Sequence, residues 1–289
     1  MECDLKSYFD SVNHDLLMYQ IRLKIRDKFV LKLIGKYLRA GIRLEDGTTE
    51  KTAKGVPQGG PLSPLLANIM LDPLDKKIEE LDMPFVRYAD DFLIMTRTKA
   101  EAIQVLAAVR EYIEGKLKLL INQDKSGIAR LKDCSFLGFN VDGKKVRRTK
   151  ESAERFKAKI RVILSRSRGV SMRQRLDEVE SYVVGWFHYF KYGLLYKEVR
   201  EWDSWIRRRV RLCYWKQWKE PSKRRKMLHA RGIRDDRIEL ASASRRSYWC
   251  MSANGVVQNA LTNKWLEEQG VPSLAALWVT YKHGDQLKD

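Results

Sequence analysis

The sequence predicts an α+β domain, an antiparallel sheet with packed helices, followed by a domain made almost wholly of α-helices. Two patterns carry this. Phe85-Val86-Arg87-Tyr88-Ala89-Asp90-Asp91-Phe92-Leu93-Ile94-Met95-Thr96 reads as two strand-forming runs joined by a tight turn, and hence as a hairpin. After Thr149 the apolar residues recur at helical spacing instead, over segments near 150–166, 171–192, 196–219 and 258–269, punctuated by Gly169, Gly193, Pro221 and Gly270. Composition changes at the same place. Residues 150–289 hold 30 Lys and Arg against 16 Asp and Glu, a net +14, and all eight Trp, whereas residues 1–149 hold 26 against 21, a net +5. The expected division is 1–149, then 150–240 as a helical binding domain, with 241–289 as its C-terminal extension.

Within the first domain, Asn13 is placed to cap a helix through Leu16, Leu17 and Ile21, so residues 4–9 form a strand end and the turn before that helix. This sets Asp4 at the carboxyl end of a strand; taken alone it reads as a surface residue. Residues 42–53 read as a short surface hairpin turning at Asp46-Gly47. From Gly55 to Asn68, glycines and prolines make a tight loop, and Pro61 and Pro64 suit the first turn of a helix carrying Leu65, Leu66, Ile69 and Leu74. Small residues there let backbone approach a nucleotide closely, and Gln58 could bond to base or sugar; an ordinary loop and helix start has the same punctuation. Ala102, Leu106, Val109 and Ile113 form a helical stripe within 99–116 that buries against a sheet. Strands near 118–131 and 134–149, turning at Asp142-Gly143, complete the domain.

A net charge of +19 favours a polyanionic partner, with nucleic acid ahead of a membrane surface because no apolar run approaches spanning length. Cys3, Cys134, Cys213 and Cys250 are dispersed without a Cys-x-x-Cys pair, which supports neither a zinc ribbon nor a disulfide framework and fits a reduced, cytoplasmic setting. The opening Met1–Lys6 lacks the apolar core of a signal peptide. The adjacent carboxylates Asp90 and Asp91 repel each other, and the usual neutraliser of hard oxygen ligands is Mg²⁺. Two such ions roughly 3.5 to 4 Å apart would activate a primer 3′-hydroxyl and steady a leaving pyrophosphate. That chemistry needs a third carboxylate, for which Asp4 is the candidate; an isolated Asp-Asp pair is more often a solvated acidic turn.

Three stretches, Asp4 to Asn13, Gly55 to Asn68 and Tyr88 to Asp91, together resemble in order and spacing the reverse transcriptases encoded by bacterial group II introns. The resemblance continues through Leu120–Ser126 and Phe136–Phe139, through Lys159 to Phe190, which is similar to the maturase-specific region or thumb, and through Trp205–Arg209 and Trp215–Lys219. It implies a reverse-transcriptase palm followed by an α-helical thumb/maturase domain, acting as RNA-directed DNA polymerase and RNA-splicing maturase. The implied partners are group II intron RNA, an RNA template with primer, deoxynucleoside triphosphates and a DNA target, with two Mg²⁺ ions as cofactor. It further implies that Asp4, Asp90 and Asp91 hold the metals and that Phe9 is the steric gate beneath the incoming sugar. Gln58 would line the nucleotide pocket, Arg87 and Tyr88 would support the carboxylate tip or the primer end, and Leu137 and Gly138 would belong to the primer grip. Lys125 would sit near the leaving pyrophosphate as a candidate general acid, a solvated turn lysine being the alternative.

Lys157, Lys159, Arg161, Arg166, Arg168, Arg173 and Arg175 cluster ahead of the aromatic group Tyr182, Trp186, Tyr189 and Tyr192. Cations track phosphates and rings stack unpaired bases, so the exposed members are assigned to RNA, while Trp186, Phe187 and Phe190 are assigned to packing. Arg207, Arg208, Arg209, Lys216 and Lys219 are further candidates for RNA contact, as is the run Lys223–Lys226, although charge runs also form plain solvated faces. No His/Cys constellation of an endonuclease appendage occurs before Asp289, so DNA cleavage is not expected. Three residues precede Asp4, against about 5 to 6 in a mean strand, so the strand presenting it is expected to be nearly absent and the fingers region of relatives missing. The alternative reading is an intron-RNA-binding maturase or chaperone, or a remnant, that does not polymerise.

Overall fold

The chain folds into two compact units, Met1–Gly143 and Lys144–Asp289. The computed structural model describes residues 1–43, 49–50, 53–57 and 59–285.

In the first unit β1 (Glu2–Cys3) leads into the short α1 (Tyr8–Ser11) and then α2 (His14–Lys24). Asn13 caps α2 as its sequence position predicts, with Oδ1 accepting the amides of Asp15 and Leu16 at 2.9 and 3.0 Å. Asp27 caps α3 (Lys28–Arg39) in the same way through the amides of Phe29 and Val30. The chain then forms β2 (Ile42–Arg43) and β3 (Thr49–Glu50), an antiparallel pair whose turn lies outside the described residues. α4 (Ser63–Glu80) begins with a Pro in its first turn and buries Leu66, Met70, Leu71, Leu74 and Ile78, a 3–4 spacing that makes it the spine of the core.

β4 (Phe85–Tyr88) and β5 (Asp91–Ile94) form the expected hairpin, and β5 is central in a three-stranded sheet ordered β1-β5-β4. The register pairs Glu2 with Leu93 and Cys3 with Phe92. α5 (Lys99–Tyr112), capped by Thr98, buries Ala102, Val105 and Val109 and continues through one π-helical turn at Ile113–Leu117. Leu106, expected within the stripe, is only partly buried.

The strand expected near 118–131 is absent. Isolated bridges join Ile121 to Leu5 and Gly127 to Glu2, and between them the Asn122 carbonyl accepts the amides of Lys125 and Ser126, turning the chain back on itself. β6 (Ser135–Phe136) and β7 (Phe139–Asp142) follow as a tight hairpin through Leu137 (φ 52°) and Gly138 (φ 80°).

The second unit opens with β8 (Lys145–Arg148) and is otherwise helical: α6 (Lys150–Ile163), α7 (Met172–Phe190), α8 (Tyr196–Gln217), α9 (Pro221–His229), α10 (Asp235–Ser242), α11 (Tyr248–Met251), α12 (Gly255–Ala260), α13 (Asn263–Glu268) and α14 (Leu274–Asp285). The helix expected over 258–269 is two, because the Thr262 side chain accepts the Trp265 amide and starts a new one. Phe156, Trp186, Phe190 and Trp202 pack ring on ring at 4.4–5.1 Å, so Trp186, Phe187 and Phe190 are core residues as read. Trp215 and Trp218 anchor a second cluster with Leu228, Ile238, Met251 and Leu261.

The four cysteines are unpaired, and burial pushes the Cys3 thiol up to about 12. No described helix is long and apolar enough to cross a membrane.

Candidate catalytic site

The hairpin of β4 and β5 turns through Ala89 and Asp90, with Ala89 in the left-handed region at φ 55°. Tyr88 pairs with Asp91 across the turn, so both carboxylates sit at the tip. Continuing the β1–β5 register by one residue sets Asp4 opposite Asp91, and strand alternation puts Glu2, Asp4 and Asp91 on one face.

The electrostatics agree with that placement. Burial, then the charge on Asp4, pushes the Asp90 carboxyl above its usual range. Burial, then Asp4, then Asp90, does the same to Asp91. Glu2 is raised by burial and next by Asp91.

Two braces hold the acids. Arg87 spends its guanidinium on support: Nε donates to Asp75 Oδ1 at 2.6 Å and Nη1 to the Ala89 carbonyl and to Asn68 Oδ1, each at 2.9 Å. Of the two roles expected for Arg87, support of the carboxylate tip or of the primer end, these bonds to α4 and the turn favour the first. Tyr88 beside it is exposed.

Asp4 is held by the loop that replaces the expected strand. Its amide donates to Ser126 Oγ at 3.0 Å, its carbonyl accepts the Asn122 amide at 2.9 Å, and Asn122 Nδ2 donates to Asp4 Oδ2 at 3.0 Å. Lys125 Nζ lies 3.6 Å from the same oxygen and lowers the Asp90 and Asp91 carboxyls by its charge. Asn122, Ser126, Asp75 and Glu2 received no role from sequence; for Asn122 and Ser126 the signal was their place inside the stretch Leu120–Ser126, and for Glu2 its two-residue spacing from Asp4.

The half-buried Phe9 meets the Gly55 loop. Its carbonyl accepts the Val56 amide at 2.6 Å, the Gly55 amide donates to the Val12 carbonyl at 2.7 Å, and His14 Nε2 contacts the Gly55 carbonyl at 2.6 Å. A Cβ on Gly55, which lies at φ +92°, would stand 3.0 Å from the carbonyl oxygens of Phe9 and Asp10, so that position demands glycine, whereas one on Gly60 would meet Tyr37 Oη at 2.1 Å and force that side chain to shift. Gln58 lies outside the described residues. Leu137 and Gly138 occupy the β6–β7 turn.

The carboxylates are oxygen donors of the kind Mg²⁺ prefers, and their crowding is what a divalent cation offsets. Among the described residues no group of three or more His, Cys, Asp or Glu closes tightly enough to hold an ion as it stands.

In the helical unit the basic candidates separate. Arg175 is buried and donates to the carbonyls of Ile163, Ser165 and Arg168, and Arg207 is buried between Asp203 and Glu267 at 3.0 and 2.7 Å. Both stitch the helical unit together, because a buried guanidinium must spend its donors internally. Arg168 is paired with Glu178, Arg173 with Asp177, and Arg209 is half-buried. Arg161 stands over Trp205, Lys157 over Trp202, Arg166 and Lys216 over Tyr248 at 5.4 and 5.0 Å, and Arg208 over Trp249 at 3.9 Å. Lys159 and Lys219 are exposed.

Residues 1–141 match the family described as reverse transcriptase (RNA-dependent DNA polymerase), and residues 153–232 match the group II intron maturase-specific domain. Protein YkfC of Escherichia coli (strain K12) is 34% identical over 182 residues, covering 51% of this chain and 48% of its own. The group II intron-encoded protein LtrA of Lactococcus lactis subsp. cremoris is 30% identical over 206 residues, covering 49% of this chain and 34% of its own. The chain thus spans half or less of the length of these relatives. Among solved structures, a telomerase from Candida albicans aligns with a TM-score of 0.43 at 15% identity, over 88% of this chain and 48% of that one.

Proposed function

Because the chain belongs to the group II intron-encoded reverse transcriptases that carry a maturase-specific domain, we propose that it is an RNA-directed DNA polymerase that extends a primer with deoxynucleotides on an RNA template. Its helical unit would bind intron RNA and assist splicing, and a DNA target would be engaged during mobility. The single observation that carries the polymerase reading is the strand register that continues to set Asp4 opposite Asp91, beside Asp90 at the hairpin tip.

Asp4, Asp90 and Asp91 would hold two Mg²⁺ ions, which supply activation of the primer 3′-hydroxyl and stabilisation of the leaving oxygen when bound. Asn122 orients the Asp4 carboxylate through its 3.0 Å bond, and Arg87 fixes the hairpin tip. Lys125 reaches the acids on a solvent-exposed side chain, as donation of a proton to pyrophosphate requires. Phe9, backed by the Gly55 loop, would sit beneath the sugar and reject a 2′-hydroxyl. The exposed Tyr88 and the Leu137-Gly138 turn would meet the primer.

Primer extension on an RNA template with Mg²⁺ and deoxynucleotides tests this. The reading requires extension by the chain and none by Asp90→Asn; equal extension by both sinks it.

A second reading is an RNA-binding maturase that does not polymerise. The Lys125–Asp4 ion pair, which already neutralises one of the acids, favours it. In that case RNA affinity survives Asp90→Asn and falls steeply with salt, while neither chain extends a primer.

A further inference from the structure

α2 and α3 enclose a pocket of about 390 Å³ that the catalytic reading does not use. Arg22 from α2 and Lys28, Lys32 and Arg39 from α3 line it, against a single carboxylate, Asp15. Among the described residues, none of these four cations is engaged in a hydrogen bond or ion pair with another side chain, unlike Lys76, Lys77, Arg87 and Lys125 of the same unit, each of which has a carboxylate within 4 Å. Four like charges converge there against one carboxylate among the described residues, an arrangement that favours an external anion.

Gly35 also lines the pocket. It is buried in the middle of α3, where glycine weakens a helix. The Arg39 guanidinium folds back across it, with Nη2 3.0 Å from where a Cβ would stand. A side chain at position 35 would meet the tip of that exposed arginine, which would have to give by a few tenths of an ångström.

Lys28, Lys32, Gly35 and Arg39 follow one helical stripe, at steps of four, three and four residues. The stripe is roughly 16 Å long at 1.5 Å per residue. A stacked nucleic-acid strand carries one phosphate per roughly 3.4 Å of its axis, so the stripe matches several successive phosphates. A lone inorganic anion would use one end of it.

We infer that the α2–α3 pocket, lined by Arg22, Lys28, Lys32 and Arg39, binds the phosphodiester backbone of an RNA strand at a place separate from the carboxylates. This rests on the RNA-binding reading above and names an anchoring point for it on the first unit. It needs no polymerisation.

The test is lysine footprinting of the full chain carrying Asp91→Asn, in which catalysis plays no part. Surface amines are acetylated with and without a short single-stranded RNA, and modification is read by mass spectrometry. Lys28 and Lys32 are expected to lose most of their labelling on RNA addition, while the exposed Lys116 and Lys132 keep theirs. A second arm with an A-form RNA duplex distinguishes a single strand from a helix as the source of the phosphates. In parallel, Lys28→Gln/Lys32→Gln should lower the salt slope of RNA binding by about 1.4, two contacts at roughly 0.7 each, and the pair Lys116→Gln/Lys132→Gln should lower it by much less.

Equal protection of all four lysines, or unchanged labelling of Lys28 and Lys32, overturns the proposal. So does protection by phosphatidylserine vesicles without protection by RNA. Failure of primer extension with the footprint intact would instead count against the polymerase reading alone.

Discussion

Arg87 and Asp75 meet fork to fork: Nε and Nη2 of the arginine each donate to one oxygen of the carboxylate, and Nη1 goes on to the Ala89 carbonyl at the hairpin tip. The pair fastens the tip to α4. The arginine side chain is 10% exposed, so truncating its partner leaves a largely buried charge uncompensated. Asp75→Ala is expected to cost about 3 kcal/mol and to lower the melting temperature clearly. Primer extension should fall with it, through the lost support of the hairpin tip. A variant that melts like the parent would show that the turn holds itself.

The raised carboxyls of Asp90 and Asp91 set a pH dependence. A carboxyl whose pKa is higher folded than unfolded binds its proton more tightly in the fold. Its contribution to stability is present below the ordinary carboxylate range and is lost as pH rises through the raised value. Metal-free chain should therefore lose stability across that window, and Asp91→Asn should flatten the loss and melt a few degrees higher at neutral pH. Adding Mg²⁺ should stabilise the parent and leave the variant nearly unmoved. Thermal melts against pH, with and without Mg²⁺, read all of this; a variant less stable than the parent at neutral pH contradicts it.

Gly55 sits at φ +92° with two carbonyl oxygens, those of Phe9 and Asp10, 3.0 Å from where a Cβ would be. Backbone cannot swing aside as a side-chain tip can, so Gly55→Ala is expected to cost on the order of 1–3 kcal/mol and to shift the Phe9 segment. If Phe9 excludes the 2′-hydroxyl, the variant should incorporate ribonucleotides more readily relative to deoxynucleotides. Competition between the two in primer extension measures it, and unchanged discrimination would detach the loop from the gate.

Local rules accounted for much of this architecture. Asn13 capping, the β4–β5 hairpin around Asp90 and the switch to helices after Thr149 each depend on neighbours in sequence, and each is where the pattern puts it. What sequence could not show was long-range partnership. Asn122 lies 118 residues from Asp4, and no periodicity links them. The strand expected near 118–131 failed because Asn122, Lys125 and Ser126 bond among themselves, a local competition that alternation of apolar residues does not register. The same limit applied to the basic residues: charge counting treats Arg175 like Lys159, yet one is buried against carbonyls and the other faces solvent.

Arg207 sharpens that distinction into a measurement. It bonds Asp203 and Glu267, and Asp203 Oδ1 also accepts the Leu274 amide at 2.9 Å, so one carboxylate joins α8 to the start of α14. Asp203→Ala removes a partner from a guanidinium that is 8% exposed and strips the buried amide of its acceptor. The expected cost is about 3–5 kcal/mol, read as a lower denaturation midpoint. Arg207→Gln should likewise destabilise the helical unit, leaving the salt slope of RNA binding unchanged under conditions where the variant is folded. Lys159→Gln should do the reverse, keeping stability and lowering the slope by about 0.7 if its exposed ammonium meets a phosphate on a single strand. A drop in slope for Arg207→Gln in folded protein would return that arginine to the RNA-binding face.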